Sequence, residues 1–455
     1  MNTPDTSSAP TLSALPPGPR VLVWLRRDLR LDDNALFDTL SNGAALPVYC
    51  FDPAQFAPDA YIGQPKTGPH RAAFLWQTVQ DLRRRLQAIG SDLYVAHGAP
   101  ADVLPDLARR FGATHLRYQR ENTPEEQATE AAVEAAVKAR GVRILPPVDG
   151  LTLFRLEDLP FPLHRFPLGF SKFRHEAEAR TPVLPPLPAP SALPPYPTAL
   201  GNGGALPTLL TLGDFSPEAV AVDPRTAHPF RGGEAAALAR LHDYVWGRRL
   251  VQTYKQTRNG LVGEAFSSKL SAWLAIGALS PRRVWHEVTR FEAEFGRTDD
   301  TYWLRFELLW RDFFQFVARR VGPDLFRRAG LRGQAPRFTK PNPQGLQRWT
   351  EGRTGAPFVD AAMRELHLTG WTSNRMRQNV ASYLINTQLV DWRLGAAWFE
   401  SRLVDYDPAS NWGNWQYLAG TGTDAREGRA FDINQQARAY DPRGEYQRYW
   451  AASVK

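Results

Sequence analysis

Eight prolines fall within the stretch from Pro182 to Pro197. Each fixes its own φ and removes a backbone donor, so the stretch can be neither a helix interior nor a central strand. Gly201, Gly203 and Gly204 follow directly. A chain of 455 residues, long enough for two or three cores, is divided there. The composition predicts an extended, semi-rigid connector over residues 151–233 that wraps the surface between two domains.

Before the connector, residues 20–150 alternate short apolar runs with amphipathic segments. Residues 21–25, 46–51, 93–96 and 116–118 read as buried strands. Residues 70–89, 101–111 and 124–140 carry apolar side chains at helical spacing. Asn122-Thr123-Pro124-Glu125-Glu126 is a helix start, with proline in the first turn and acids favouring the dipole. Strands alternating with helices imply a parallel, doubly wound sheet. No G-x-G-x-x-G follows the first strand, so dinucleotide binding is not the reason for it. After the connector, residues 234–455 are helical almost throughout. Segments 302–317, 359–368, 374–389 and 394–403 read as helices, and Ser280-Pro281 caps another. The expected architecture is an α/β N-terminal domain, a connector and an all-α C-terminal domain. Residues 1–19, with no apolar core and no early basic run, read as a disordered leader and not a signal peptide.

Lys and Arg number 55 against 47 Asp and Glu, a balance of +8 that favours polyanions by long-range attraction and counterion release. An Arg-rich surface with no partner explains the charge equally well. Cys50 is the only cysteine, so no intramolecular disulfide can form, which fits a reducing compartment. No apolar run is long enough to span a bilayer. A cytoplasmic protein is expected. The nine His show no metal-like spacing, and no metal site is expected.

Four segments carry chemistry. The first, Val404 to Tyr417, holds Asp405, Asp407, Asn411, Asn414, Trp412, Trp415 and Tyr417. Acids can pair a buried cation, amides can meet the edge of a heteroaromatic ring, and indoles can stack or pass an electron. That inventory suits a flat redox cofactor better than a plain core helix.

The second segment runs from Tyr254-Lys255-Gln256-Thr257-Arg258-Asn259 to Ser267-Ser268-Lys269-Leu270-Ser271. Consecutive hydroxyls before a helix can turn donors onto phosphate oxygens, although a serine N-cap is the commoner role of any one of them. In the third, Glu307, Trp310 and Arg311 share one helical face. They could cup a base, stack on it and hold its phosphate; on the residues alone, a core Trp beside a solvated ion pair is preferred. In the fourth, Asn374, Arg377 and Gln378 share a face and Arg375 is displaced from it. A buried Arg377 needs a carboxylate, and Asp405 is the natural candidate.

Taken in their order along the chain, these segments resemble the photolyase/cryptochrome family over nearly the whole chain after the leader. The resemblance implies FAD, with Tyr254, Ser267, Ser268, Lys269, Leu270 and Ser271 gripping its pyrophosphate. Glu307, Arg311, Asn374, Arg377, Asp405, Asp407 and Asn411 would complete the cofactor site. It implies that Trp392 and Trp415 belong to a tryptophan electron-transfer chain whose outermost member falls at Thr339. That departure implies either slower photoreduction or another surface aromatic, such as Tyr383 or Trp349, in its place. Asn411 matches the position facing the flavin N5 and suits a repair enzyme. Neither Asn374 nor Gln378 is the His expected of (6-4) photolyases.

Within the family, Thr301-Tyr302-Trp303-Leu304, Gln378, Tyr417 and the run from Gln436 to Tyr446 are similar to cryptochromes of the DASH type. That resemblance implies repair of cyclobutane pyrimidine dimers, preferentially in single-stranded or looped DNA, driven by blue light. Glu307 would bond the flipped lesion, Trp310 and Tyr417 would flank it, Gln378 would contact it, and Arg375 would hold its phosphate. Tyr417 in place of an indole weakens the stacking that offsets flipping a lesion from a duplex. A second chromophore, methenyltetrahydrofolate, is expected between the domains with Glu121 as its contact. Action as a monomer is expected. The rivals are a light receptor that regulates without repair, against which the short chain after Trp450 counts, and a duplex-specific dimer photolyase.

Overall fold

The computed structural model describes residues 18–38, 40, 43–201, 203–333, 341–423 and 430–451. Thr339 and residues 1–17 of the expected leader lie outside the described residues.

Five parallel strands form the N-terminal sheet: β1 (Arg20–Leu25), β2 (Ala44–Phe51), β3 (Tyr94–His97), β4 (His115–Tyr118) and β5 (Arg143–Ile144), in the order β3-β2-β1-β4-β5. β1 is central, with Leu22 opposite Leu46 on one side and Leu116 on the other. β1 and β2 are almost entirely buried, which explains why they read as unbroken apolar runs. The helices Pro69–Ala88, Pro100–Phe111 and Pro124–Lys138 connect the strands. β5 was not expected. It is two residues long, partly solvated and has no apolar pattern.

Strand order reverses between β1 and β4. In a doubly wound sheet, the crevice at the carboxyl ends of the strands at that point is where ligands bind. Here the ends of β1 and β4 lead to Arg27 and Glu121, both of which face the second domain.

The connector is not wholly extended. It contains the helix Phe170–Arg180 and several short turns, while residues 181–197 have no regular structure. Phe173 and Ala177, one helical turn apart, bury completely under the C-terminal domain. The dense proline cluster begins only at Pro182, and no proline falls within residues 170–180, so none forbids this helix.

The C-terminal domain is helical, as expected. Its longest element, Asp299–Val321, is started by a capping box between Thr298 and Thr301. Ser280 accepts from the amides of Arg282 and Arg283, as the Ser-Pro pair predicted. Gly277 ends the Ser271–Ile276 helix at φ 72, and a Cβ there would collide with the Arg27 carbonyl. Glycine at that position lets the two domains close against each other. No helix among the described residues is long and apolar enough to cross a membrane.

Candidate functional site

The four chemistry-bearing segments meet around one cavity of about 440 Å³ in the helical domain. Tyr254, Ser267, Ser268, Lys269, Leu270, Ser271, Glu307, Trp310, Arg311, Asn374, Arg375, Arg377, Gln378, Asp405, Asp407 and Tyr417 all line it. Asn411, Trp392, Trp415 and Glu121 do not.

One wall is the loop before the Ser271–Ile276 helix. Ser267 and Lys269 hold φ values of 56 and 55, left-handed backbone that non-glycine residues adopt at a cost. The loop is pinned in this shape because Arg240 Nε donates to the Ser268 carbonyl at 3.0 Å. The Lys269 side chain does not reach across the cavity. Its ammonium donates to the carbonyls of Glu264 and Phe266 and lies 3.5 Å above the Phe266 ring. Burial pulls its pKa down to about 7, with Arg240 adding to the effect.

The Asp299–Val321 helix supplies the second wall. Glu307 pairs with Arg258 Nη1. Burial raises the Glu307 pKa, and Arg258 opposes that shift. Arg311 lines the cavity, but its guanidinium donates to the carbonyls of Leu151 and Leu274. Its visible work is to tie the connector to the helix, which differs from the expected phosphate contact.

The third wall is the Asn374–Asn386 helix, capped by Ser373. Arg377 Nη2 lies 2.9 Å from Asp405 Oδ2, the pairing expected from sequence, while its Nε donates to the Thr372 carbonyl. Asp405 Oδ1 is buried and has no partner among the described residues. Such an oxygen asks for a donor from a bound group. Arg375 bonds Gln378 and Asn259 and sits 4.6 Å from the Tyr440 ring, with its buried Nε unpartnered.

The Pro408–Ala419 helix closes the cavity. Ser410, Asn414 and Tyr417, spaced i, i+4, i+7, form the stripe on the wall. Asn411 is one residue off that stripe, and its Nδ2 donates to the Ala396 carbonyl at 3.0 Å. Asp407 caps the helix through Ser410 N at 2.7 Å and takes Arg27 Nη1 and Gln315 Nε2 on Oδ2 at 2.7 and 2.8 Å. Both its oxygens are engaged within the protein. Sequence reading named Asn414 only among the amides of its segment and missed Ser410, although helical spacing back from Tyr417 finds both on the wall. Arg258 and Asn259 were also overlooked as wall residues in their own right.

Trp415 and Trp392 lie behind the cavity. Trp415 packs on Gly395, where a Cβ would strike the indole, and Gly395 is one turn along from Trp392. Trp392 is fully buried and 5.8 Å from Trp412, which in turn is 5.9 Å from the exposed Tyr61. Trp349, considered as a surface substitute for Thr339, is fully buried 6.2 Å from Trp415, so it is not a surface aromatic.

A second cavity of about 380 Å³ opens between the domains at the sheet's switch point. It is lined by the end of β1, by Glu121 and by Glu400, Tyr406 and Trp412 from the helical side. Glu121 Oε2 holds Arg27, and Glu121 Oε1 is buried without a partner among the described residues.

Residues 303–455 match the family described as the FAD binding domain of DNA photolyase, and residues 21–191 match the DNA photolyase family. The chain is 47% identical over 432 residues to Cryptochrome DASH of Gloeobacter violaceus, covering 94% of this chain and 85% of that one. It is 46% identical over 440 residues to Cryptochrome DASH of Synechocystis, covering 96% of this chain and 88% of that one. A solved cryptochrome of Synechocystis sp. PCC6803 superposes with a TM-score of 0.90 at 46% identity, covering 95% of this chain and 88% of that one.

Proposed function

The chain belongs to the photolyase/cryptochrome family, within its cryptochrome DASH branch, and on that premise we propose a blue-light-dependent flavoprotein that splits cyclobutane pyrimidine dimers, preferentially in single-stranded DNA. The observation that carries the reading is the cavity itself. Its walls bring Arg377–Asp405, the strained 267–271 loop, Glu307, Trp310 and Tyr417 into one space. The matched families support an FAD-binding, photolyase-type lyase acting on DNA; the single-strand preference is part of the proposal.

The donor set suits FAD. The hydroxyls and loop amides of 267–271 would take its phosphates, and the unpartnered Asp405 Oδ1 would accept from its ring. When bound and reduced, FAD supplies the light-driven electron that opens the dimer and takes it back. Arg377 holds Asp405 in place with its charge compensated. Glu307, whose position Arg258 fixes, would hydrogen-bond the lesion. Trp310 and Tyr417 would flank the lesion, with Gln378 against it and Arg375 on its phosphate. Trp415 and Trp392 would relay electrons inward.

At the interdomain cavity, the unpartnered Glu121 Oε1 would accept from an amide or amine of a methenyltetrahydrofolate antenna. The reading includes action as a monomer in the cytoplasm.

The test is anaerobic, chemically reduced holoprotein under blue light with a single-stranded oligonucleotide bearing one dimer. Loss of the dimer in light and not in the dark, and a loss at least tenfold slower for Glu307→Ala at equal FAD content, is expected. Persistence of the dimer with FAD bound and reduced would leave a light receptor instead.

A further inference from the structure

The Trp310 indole is stacked on a residue of the connector. The Phe170 ring lies flat against it, with centroids 3.6 Å apart and planes 7° from parallel. No other ring pair among the described residues lies as close. Phe170 opens the Phe170–Arg180 helix between the two domains. Trp310 lines the cavity and Phe170 does not, so the indole stands between the cavity and the phenyl ring.

Phe170 is itself held. Phe306 and Phe313 meet it nearly edge-on at 5.2 and 5.7 Å, with interplanar angles of 83° and 82°. Phe306, Trp310 and Phe313 are spaced i, i+4, i+7 on one helix, so a single stripe supplies three sides of a clamp and the connector supplies the fourth. Phe166 and Phe173, both fully buried, anchor the connector beneath it. A half-buried indole on a helix face would otherwise exchange among rotamers. With Phe170 on one side, the ring is set before a flat ligand arrives, and less side-chain freedom is lost on binding.

We propose that Phe170 is a positioning residue for Trp310, and that the connector thereby backs the Trp310 wall of the lesion-binding cleft. The proposal rests on the dimer-binding reading above and deepens it, since it gives the segment between the domains a part in recognising the flipped pyrimidines.

The experiment measures dark binding of a single-stranded oligonucleotide, with and without one cyclobutane dimer. It uses FAD-loaded wild type, Phe170→Ala, Phe170→Leu, Trp310→Ala and the doubles of each Phe170 variant with Trp310→Ala. Phe170→Ala is expected to weaken dimer binding about tenfold, the scale of one base–aromatic stack. FAD content and binding of the undamaged strand stay at wild-type values. Phe170→Leu falls between, keeps the core filled and carries the test if the alanine variant does not fold. Once Trp310 is alanine, neither Phe170 change adds anything. Fully additive losses, or wild-type discrimination in both Phe170 variants, overturn the positioning role and leave the dimer reading standing. A wild type that does not prefer the dimer-bearing strand overturns both.

Discussion

Arg27 Nη1 lies 2.7 Å from Asp407 Oδ2, while the same guanidinium holds Glu121 through Nε at 2.7 Å. One side chain at the end of β1 therefore joins a wall of the interdomain cavity to the cap of the helix that closes the cofactor cavity. Asn122 and Gln315 complete the circuit, with Asn122 Nδ2 donating to Gln315 at 2.9 Å and Gln315 donating to Asp407 at 2.8 Å. Both carboxylates are almost wholly removed from solvent.

Removing the cation from such a group leaves two buried carboxylates uncompensated. Arg27→Gln is expected to destabilise the fold by about 3–5 kcal/mol, read as a lowered urea midpoint at unchanged slope. Loss of bound FAD should accompany it. A midpoint within experimental error of wild type would mean that the circuit is not structural.

Glu365 gives a pH dependence with a definite sign. It accepts from the hydroxyls of Thr372 and Tyr446, each at 2.6 Å, and burial pushes its pKa up from 4.5 to about 7. The folded protein therefore keeps a proton that the unfolded chain gives up between pH 4.5 and 7. Stability falls across that window and the loss is complete above it. Glu365→Gln has no proton to lose. The stability of wild type relative to this variant should drop by up to about 3 kcal/mol between pH 4.5 and 7, measured by denaturant unfolding at each pH. A constant difference would contradict the assignment.

Tyr417 meets the edge of Trp310 at 6.2 Å and lines the cavity. Tyr417→Trp restores a larger stacking face, which should matter most where unpairing must be offset. The affinity for a dimer in duplex DNA is expected to rise about tenfold and that for a single strand by less, the scale of one added stack. Gel-shift titrations of both forms in the dark decide it.

The aromatic relay makes a kinetic prediction. Trp415→Phe and Trp392→Phe should each slow blue-light reduction of oxidised FAD at least tenfold without changing FAD content, followed by absorbance under steady illumination. Trp412→Phe should slow it too if electrons enter from the Tyr61 side, since Trp412 lies between Trp392 and Tyr61. Wild-type rates in the Trp415 and Trp392 variants would remove both residues from the relay.

What sequence reading recovered is what local chemistry encodes. Alternating runs announced β1 to β4, and proline or hydroxyl caps announced the helices that begin at Pro124 and Pro281. The Arg377–Asp405 pair was legible because a buried guanidinium has few possible partners. What stayed hidden depends on contacts distant in sequence. Arg27 finds its carboxylates 94 and 380 residues away, and nothing in the segment around it announces them. Lys269 turned inward because two carbonyls and a phenyl ring lay within reach of its own loop. Asn411 missed the wall by one position on a helix, which rotates a side chain by about 100°. The Phe170–Arg180 helix has only Phe173 and Ala177 fully buried, too few apolar positions to stand out beside a proline-rich run.

The most direct measurement is repair under blue light by the reduced holoprotein of one dimer-bearing oligonucleotide, first single-stranded and then annealed to its complement. The account predicts rapid repair of the single strand and at least tenfold slower repair of the duplex, reflecting the stack that Tyr417 does not supply. Equal rates on the two would contradict it and make the protein an ordinary dimer photolyase.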